Sequence, residues 1–306
     1  MRPRPADFSR KNSPPEALER FLQRVLAEQS NARHSLARDP VHDLRVALRR
    51  CRSLAEGFAA LDEDGDWRRL RKSAKELQSG VAGLRDAQVM AGRVRHLRLT
   101  GGRAGAALAE SLQRGEREGE RQARRALKNF PRKRWKRWGR RLSKRARRLG
   151  TAPATFAALV LERVKEAAAR ERRWRGTASQ IAGHSLRIAL KHFRYTVQSF
   201  VPEQYVAWER DLKRMQDALG DMHDLDVLRK WLLKVAKEET LDPEIVHEWL
   251  RQIAGARQER VERYKKVVSA GGGGSERGKT LLWDRWRREI EHLAEINSPN
   301  CGAASE

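Results

Sequence analysis

The stretch 41-VHDLRVALRRCRSLAEGF-58 decides the fold. Taken at 100° per residue it makes a two-faced helix. Leu44, Ala47, Leu48, Cys51, Leu54, Ala55 and Phe58 fall on one apolar stripe. His42, Arg45, Arg49 and Arg52 fall on the other side, at i, i+3, i+7 and i+10. They line up within about 80° of arc and over roughly 15 Å of helix. The pattern returns at 184-HSLRIALKHFRYTVQSF-200, where 7 of 17 residues match 42–58. His42, Arg45, Ala47, Arg52 and Phe58 recur as His184, Arg187, Ala189, Arg194 and Phe200, and Arg49 is met by Lys191. A repeat that keeps both its core face and its basic face implies a duplicated unit with two matching basic surfaces.

A second pair of segments extends the repeat. 84-LRDAQVM-90 aligns with 222-MHDLDVL-228. Lys75 then matches Lys213, Gln78 matches Gln216, Arg85 matches His223, and Asp86 matches Asp224. Helices are expected at about 16–38, 39–61, 67–99, 106–128, 132–149, 154–174, 180–201, 204–220, 224–239, 243–268 and 279–296. No stretch alternates with period two, so the expected class is all-α. Residues 1–15 and 297–306 read as tails, and Gly150 to Pro153 as the boundary between the halves 16–150 and 151–296.

The charge narrows the partners. The 306 residues carry a formal net charge of +26. Residues 1–150 hold 39 Lys/Arg against 17 Asp/Glu, net +22. Residues 151–306 hold 27 against 23, net +4. Solubility alone needs far less, so a polyanion is the expected partner: nucleic acid, anionic membrane or a phosphate polymer. Repeated anionic oxygens want charge-assisted donors, which Arg, Lys and His⁺ supply. The competing account of one basic stripe is an ordinary solvated face; its repetition, with Lys75, Arg85, Lys213 and His223, favours a binding face. The segment 132–149 has 11 Lys/Arg and no acid. It fits an arginine-rich nucleic-acid helix, a membrane-surface helix, or a wall of the same anion site. Its Trp135, Trp138, Leu142, Ala146 and Leu149 seam favours docking on the core, with Arg134, Arg137 and Arg141 turned to ligand.

Other chemistry is poorly supported. Cys51 and Cys301 make no disulfide framework or metal spacing, which suits a reducing cytoplasm. The N-terminus has no apolar h-region, and no run of about 18 apolar residues exists, so neither signal peptide nor membrane span is expected. The histidines show no metal-ligand spacing, and no nucleophile–base pair or carboxylate cluster is visible, so neither a metal nor another cofactor is expected. 273-GGSERGKT-280 matches the phosphate-loop pattern letter for letter, but no strand precedes it, and an inter-helix loop is the better reading.

The paired motifs V-H-x-L-R-V-A-x-R-R-x-R with a downstream L-R-D, and H-x-L-R-I-x-x-K-x-x-R-Y with L-G-D-x-x-D-L-D-V-L, resemble the CHAD family, the conserved histidine α-helical domain. The resemblance covers about residues 16–296. It implies two four-helix bundles related by pseudo-two-fold symmetry around a basic central channel that binds inorganic polyphosphate. The family's histidines fall on His42 and His184, and its basic positions on Arg45, Arg49, Arg50, Arg52, Arg187, Lys191 and Arg194. His192 stands where the first repeat has Arg50, and Ala87-Gln88 replaces the Leu-Asp of 225–226. No E-x-E-x-K signature of a triphosphate-tunnel domain occurs, so that domain's phosphohydrolase activity is not implied. The expected function is non-catalytic polyphosphate binding in the cytoplasm, with recruitment to polyphosphate granules. The alternative is a helical protein binding nucleic acid, which would compete as a polyanion.

Overall fold

A computed structural model describes residues 13–149, 153–270 and 281–296. Among these, eleven helices and no strand occur. They are α1 (Pro14–His34), α2 (Arg38–Ala59), α3 (Gly65–Gly80), α4 (Ala82–His96), α5 (Gly102–Lys128), α6 (Arg132–Arg148), α7 (Pro153–Thr177), α8 (Gln180–Phe200), α9 (Pro202–Glu238), α10 (Pro243–Ala270) and α11 (Leu282–Ile296). The all-α expectation holds. The 273–280 loop, most of the expected tails and the 150–152 link lie outside the described residues.

Three boundaries differ from the sequence expectation. The tail stops earlier, because Pro14 and Pro15 open α1 and the Ser13 backbone N–H donates to Glu16 Oε2 at 2.9 Å. Proline suits a first helical turn, where its missing N–H costs nothing. The expected helix 67–99 is broken at Val81 into α3 and α4. At that joint α5 passes very close: a Cβ on Gly119 would lie 2.5 Å from the Leu84 backbone nitrogen. The expected pair 204–220 and 224–239 is one 37-residue helix, α9. Gly220 is not a stop there, and a Cβ on it would meet nothing within 4 Å.

Three apolar clusters hold the helices. The first joins α1, α2, α3 and α6 with the C-terminal part of α5. The second joins α7, α8, the first half of α9, the end of α10, and α11. The third is built from α4 and the start of α5 together with the rest of α9 and the start of α10. Thus Met90, Leu108 and Leu112 from the first half pack with Leu228, Leu232 and Trp249 from the second. All three clusters use the apolar stripes, whose burial contributes about 25 cal/mol per Å².

The α2–α8 crossing positions everything that follows. Leu44, Leu48, Cys51 and Leu54 of α2 face the first cluster, fully buried. Burial also pushes the Cys51 thiol well above its ordinary pKa. At the C-terminal ends of both helices the rings of Phe58, Phe156 and Phe200 interlock. Phe156 stacks on Phe200 at 4.2 Å between centroids, and Phe58 meets Phe200 edge-on at 5.9 Å. Gly57 lets this happen, since a Cβ there would sit 2.1 Å from Phe200 Cζ. Phe200 is buried between Phe58 and Phe156. Gly57→Ala should therefore cost about 1–3 kcal/mol of stability, the usual range for overpacking. Adding Phe200→Leu should restore part of it. Urea unfolding of the single and double variants checks this, and a Gly57→Ala protein as stable as the parent would refute the contact.

Candidate functional site

Where α2 and α8 run side by side, their polar faces border a cavity of about 480 Å³. Arg45, Arg49 and Arg52 come from α2, and His184, Arg187 and Lys191 from α8. Helix α9 adds His223 and Asp224, α4 adds Asp86, and α3 adds Gln78. The N-cap of α8 is made by Ser179, whose hydroxyl accepts from the Ala182 N–H at 3.2 Å. This starts α8 one turn before His184 and fixes the phase of its basic row.

The two rows are anchored in matching ways. Arg52 Nη1 donates to Gln78 Oε1 at 3.2 Å, and Arg194 Nη1 donates to Gln216 Oε1 at 3.0 Å. These are the residue pairs that the repeat alignment equates. Arg45 Nη1 also donates to the Gln78 carbonyl at 3.2 Å, and Arg194 Nη2 to Tyr205 Oη at 3.0 Å. His184 and His223 stand Nδ1 to Nδ1 at 3.3 Å. One must accept where the other donates, so at most one ring of the pair can hold its Nδ1 proton in that contact.

The cations outnumber the free anions. Glu56 lines the cavity but accepts from Arg163 Nη2 at 2.6 Å. Asp224 accepts from Arg93 Nη2 at 3.2 Å, and Arg93 also bonds Asp221. Burial raises the Asp86 carboxyl above the usual carboxylate range, with Asp224 adding to the effect. Burial and the neighbouring Arg49 bring Arg45 down to about 10. Burial, then Arg187, Arg49 and Arg45, push the Lys191 ammonium down to about 6. His184 is lowered by burial and by Arg187, and His223 falls to about 4 for the same reasons plus His184 itself. Nε of Arg49, Arg52 and Arg187 is buried without a hydrogen-bond partner. Near neutral pH the arginines here are cations placed together and left under-neutralised, while Lys191 and His223 are held uncharged, and both effects cost free energy in the unliganded protein.

Seven of the sixteen residues singled out from sequence line this cavity: Arg45, Arg49, Arg52, His184, Arg187, Lys191 and His223. His42 and Arg85 sit just beyond it. Each lowers or is lowered by the other's charge, and both sense Arg49. Arg194 lies deeper, against α9. The remaining six are placed elsewhere. Arg50 lies over the Phe21 ring of α1, 5.4 Å from its centroid. Lys75 is exposed on α3, and Lys213 is exposed and paired with Asp217 at 2.7 Å.

Arg134, Arg137 and Arg141 ride on α6, which packs against α1 and α3 and adds nothing to the cavity. The Trp135, Trp138, Leu142 and Ala146 seam does dock on the core, fully buried. With that seam buried, Arg134, Arg137 and Arg141 do not line the cavity, against the expectation that they face the same ligand as α2. Sequence reasoning also missed Glu56, Tyr195 and Arg93. Glu56 was reachable: it lies at i+7 from Arg49, on the same face. Arg93 carried no such signal, because its role depends on α4 meeting α9.

The chain belongs to the CHAD family: the family model of the CHAD domain matches residues 16–233. Two solved structures share the fold. One is the CHAD domain from the plant Ricinus communis, with 20% identity, a TM-score of 0.57, and 90% of each chain covered. The other is PptA from Streptomyces chartreusis, with 17% identity and a TM-score of 0.61, covering 84% of this chain and 99% of that one. No curated protein sequence matches the chain. The CHAD family is associated with polyphosphate, and its domain is a helical one not known as catalytic by itself. Among the described residues no helix is long and apolar enough to cross a membrane.

Lys191 provides a direct check on the strained site. Its folded-state pKa of about 6 lies below its ordinary 10.5. The folded protein therefore holds fewer protons there than the unfolded chain between these values. Stability contributed by this group is present above about 10.5 and is lost as pH falls towards about 6. Lys191→Met removes the penalty while keeping the side chain's length. At pH near 7 the variant should be more stable than the parent by on the order of 2 kcal/mol after discounting for solvent relaxation. Thermal unfolding across pH tests it, and a variant that melts below the parent would contradict the account.

Proposed function

We propose that this protein binds inorganic polyphosphate without cleaving it, in the cavity between α2 and α8. The observation that carries the reading is the set of facing, under-neutralised cations from two equivalent helices. A phosphate chain presents anionic oxygens at every unit, and each can replace a missing counter-charge. Arg45, Arg49 and Arg52 would take one side of the chain, and Arg187, Lys191 and His184 the other. The family's association with polyphosphate supports the same reading.

The duplicated architecture supports it as well. Helix α2 packs between α1 and α3 as α8 packs between α7 and α9, and α6 closes on α1 as α11 closes on α7. The matched Arg–Gln bonds repeat this correspondence at the site. On this reading the two halves, 16–150 and 151–296, form pseudo-symmetric bundles, and the cavity is the basic channel between them. Among the described residues no three metal-type side chains cluster, so the proposal assigns the cavity a holding role rather than a hydrolytic one. Single-stranded nucleic acid is the weaker reading. It wants exposed aromatic platforms, and no tryptophan of this chain is exposed. A cytoplasmic location and recruitment to polyphosphate granules are part of the same proposal.

Neutralising the second row tests whether the site or the overall charge is responsible. Arg187→Ala/Lys191→Ala should weaken polyphosphate binding strongly, since each charge-assisted contact contributes on the order of 1.5–3 kcal/mol. Arg124→Ala/Lys128→Ala removes two exposed cations on α5 that do not line the cavity. It should change affinity little. Equal losses in two folded variants would reduce the cavity to a share of a diffuse field.

Proton linkage gives a second test. An anion raises the depressed pKa values of Lys191 and His223, so complex formation must take up protons. Affinity should rise as pH falls from about 8 towards about 6. Calorimetry in two buffers of different ionisation enthalpy measures the uptake directly. Binding that releases protons, or exchanges none, would count against the site.

A further inference from the structure

The outer face of α6 is unexplained by the cavity. With its tryptophan seam buried, this helix turns Lys133, Arg137, Arg140, Lys144 and Arg148 to solvent. They follow at i, i+4, i+7, i+11 and i+15, within about 80° of arc, and form a straight ridge about 22 Å long. None of the five is paired with a carboxylate among the described residues.

The flanks behave differently. On one side Arg141 and Arg145 are held by Asp62, Asp64 and Asp66, and on the other Arg147 is held by Glu19. The flanking bridges fix the helix in place, while the crest keeps its charge. Helix α6 packs on α1 and α3, which in turn pack on α2. The ridge and the cavity therefore occupy opposite corners of that group of helices.

We propose that the α6 ridge is a separate docking surface for double-helical nucleic acid, read through its phosphates and without base specificity. A duplex carries one negative charge per about 1.7 Å of axis, so about 22 Å of it offers ample phosphates for five cations. The helix width of about 10–12 Å is also that of the B-DNA major groove, about 12 Å wide, whereas an A-form RNA duplex, with its narrow major groove, would be met along its phosphates only. A single strand is disfavoured because Trp135 and Trp138, the rings that would stack bases, are buried. An inserted membrane helix is disfavoured because the apolar side of α6 is consumed by the core. The ridge does not need the polyphosphate reading. Only its corollary does: one molecule could then hold polyphosphate and a duplex at once.

Fluorescence anisotropy with labelled DNA and RNA duplexes of about 20 base pairs tests the ridge. The parent protein should bind with a log–log salt slope of about −4 to −5 if all five cations engage. Arg137→Gln/Arg140→Gln/Lys144→Gln should reduce the slope by about 3 and the affinity at least about tenfold. All three residues are exposed, and circular dichroism verifies the fold. Arg187→Ala/Lys191→Ala, in the cavity, should leave duplex affinity within about twofold.

A duplex affinity indifferent to the triple substitution overturns the proposal. So does equal loss in the cavity variant, which would mean that duplex and cavity ligand share one site. Vesicles of phosphatidylcholine with phosphatidylserine supply the remaining arm. Ridge-dependent binding to them, with none to either duplex, assigns the ridge to an anionic membrane and also overturns the proposal. Loss of polyphosphate binding in the cavity variant, with duplex binding intact, would leave both readings standing independently.

Discussion

Everything around the cavity depends on holding like charges together against their repulsion. Arg45, Arg49 and Arg187 each depress a neighbour's pKa, and none has a dedicated carboxylate among its hydrogen-bond partners in the described residues. Two unit charges about 4 Å apart repel by roughly 4 kcal/mol at an effective dielectric of 20. Such a cluster persists only if the scaffold over-determines it. Here the Phe58–Phe156–Phe200 cluster and the close pass at Gly57 clamp α2 to α8 at one end. The Arg93 bridge to Asp221 and Asp224 ties α4 to α9 nearby. The apolar core thus sustains electrostatic strain at the polar face, the arrangement expected of a preorganised anion site.

The fold was largely legible because its signals are local. Period-3.6 stripes set α2 and α8, and the repeat of 42–58 at 184–200 announced which faces correspond. The Arg52–Gln78 and Arg194–Gln216 bonds were legible one step further, because an alignment of two internal repeats equates both partners. Legibility ended where a feature depends on helices meeting in space. The break at Val81 coincides with the close approach of α5, and α9 runs on through Gly220, beside which nothing packs. Neither is a property of the residues at the joint. Gly80 and Gly220 look alike in sequence and behave differently in the structure.

The site residues divide along the same line. Of those on the repeated faces, Arg45, Arg49, Arg52, His184, Arg187 and Lys191 line the cavity, because a helix face is set by spacing alone, while His42 and Arg194 fall outside its lining. Lys75 and Lys213, matched by the second pair of aligned segments, stayed in solvent. Helix α6 shows the limit most clearly. Its seam correctly indicated docking, yet docking has a direction. Once Trp135 and Trp138 turn inward against Phe130, Ser73 and the rest of the first cluster, the basic side must turn outward. A strong charge signal then points to a partner, but to a different side of the molecule from the one the repeat defines.

Three carboxylates line the cavity alongside the basic rows. Asp86, Asp224 and Glu56 could in principle neutralise the basic rows and relieve the strain. Their other bonds oppose this. Arg163 draws Glu56 to α7, and Arg93 draws Asp224 to α4. Asp86 acts on Arg45 and Arg187, and Asp224 on Arg187, but burial weakens the charged form of both carboxylates. The acids therefore orient the site more than they satisfy it. Complete internal pairing would make a stable protein with an electrostatically closed face, since an incoming anion would have to displace a carboxylate at each step. Diverting two of the three acids to cations outside the lining keeps the rows fixed and still short of negative charge. A phosphate chain can then supply what the protein withholds, with little reordering of side chains on binding.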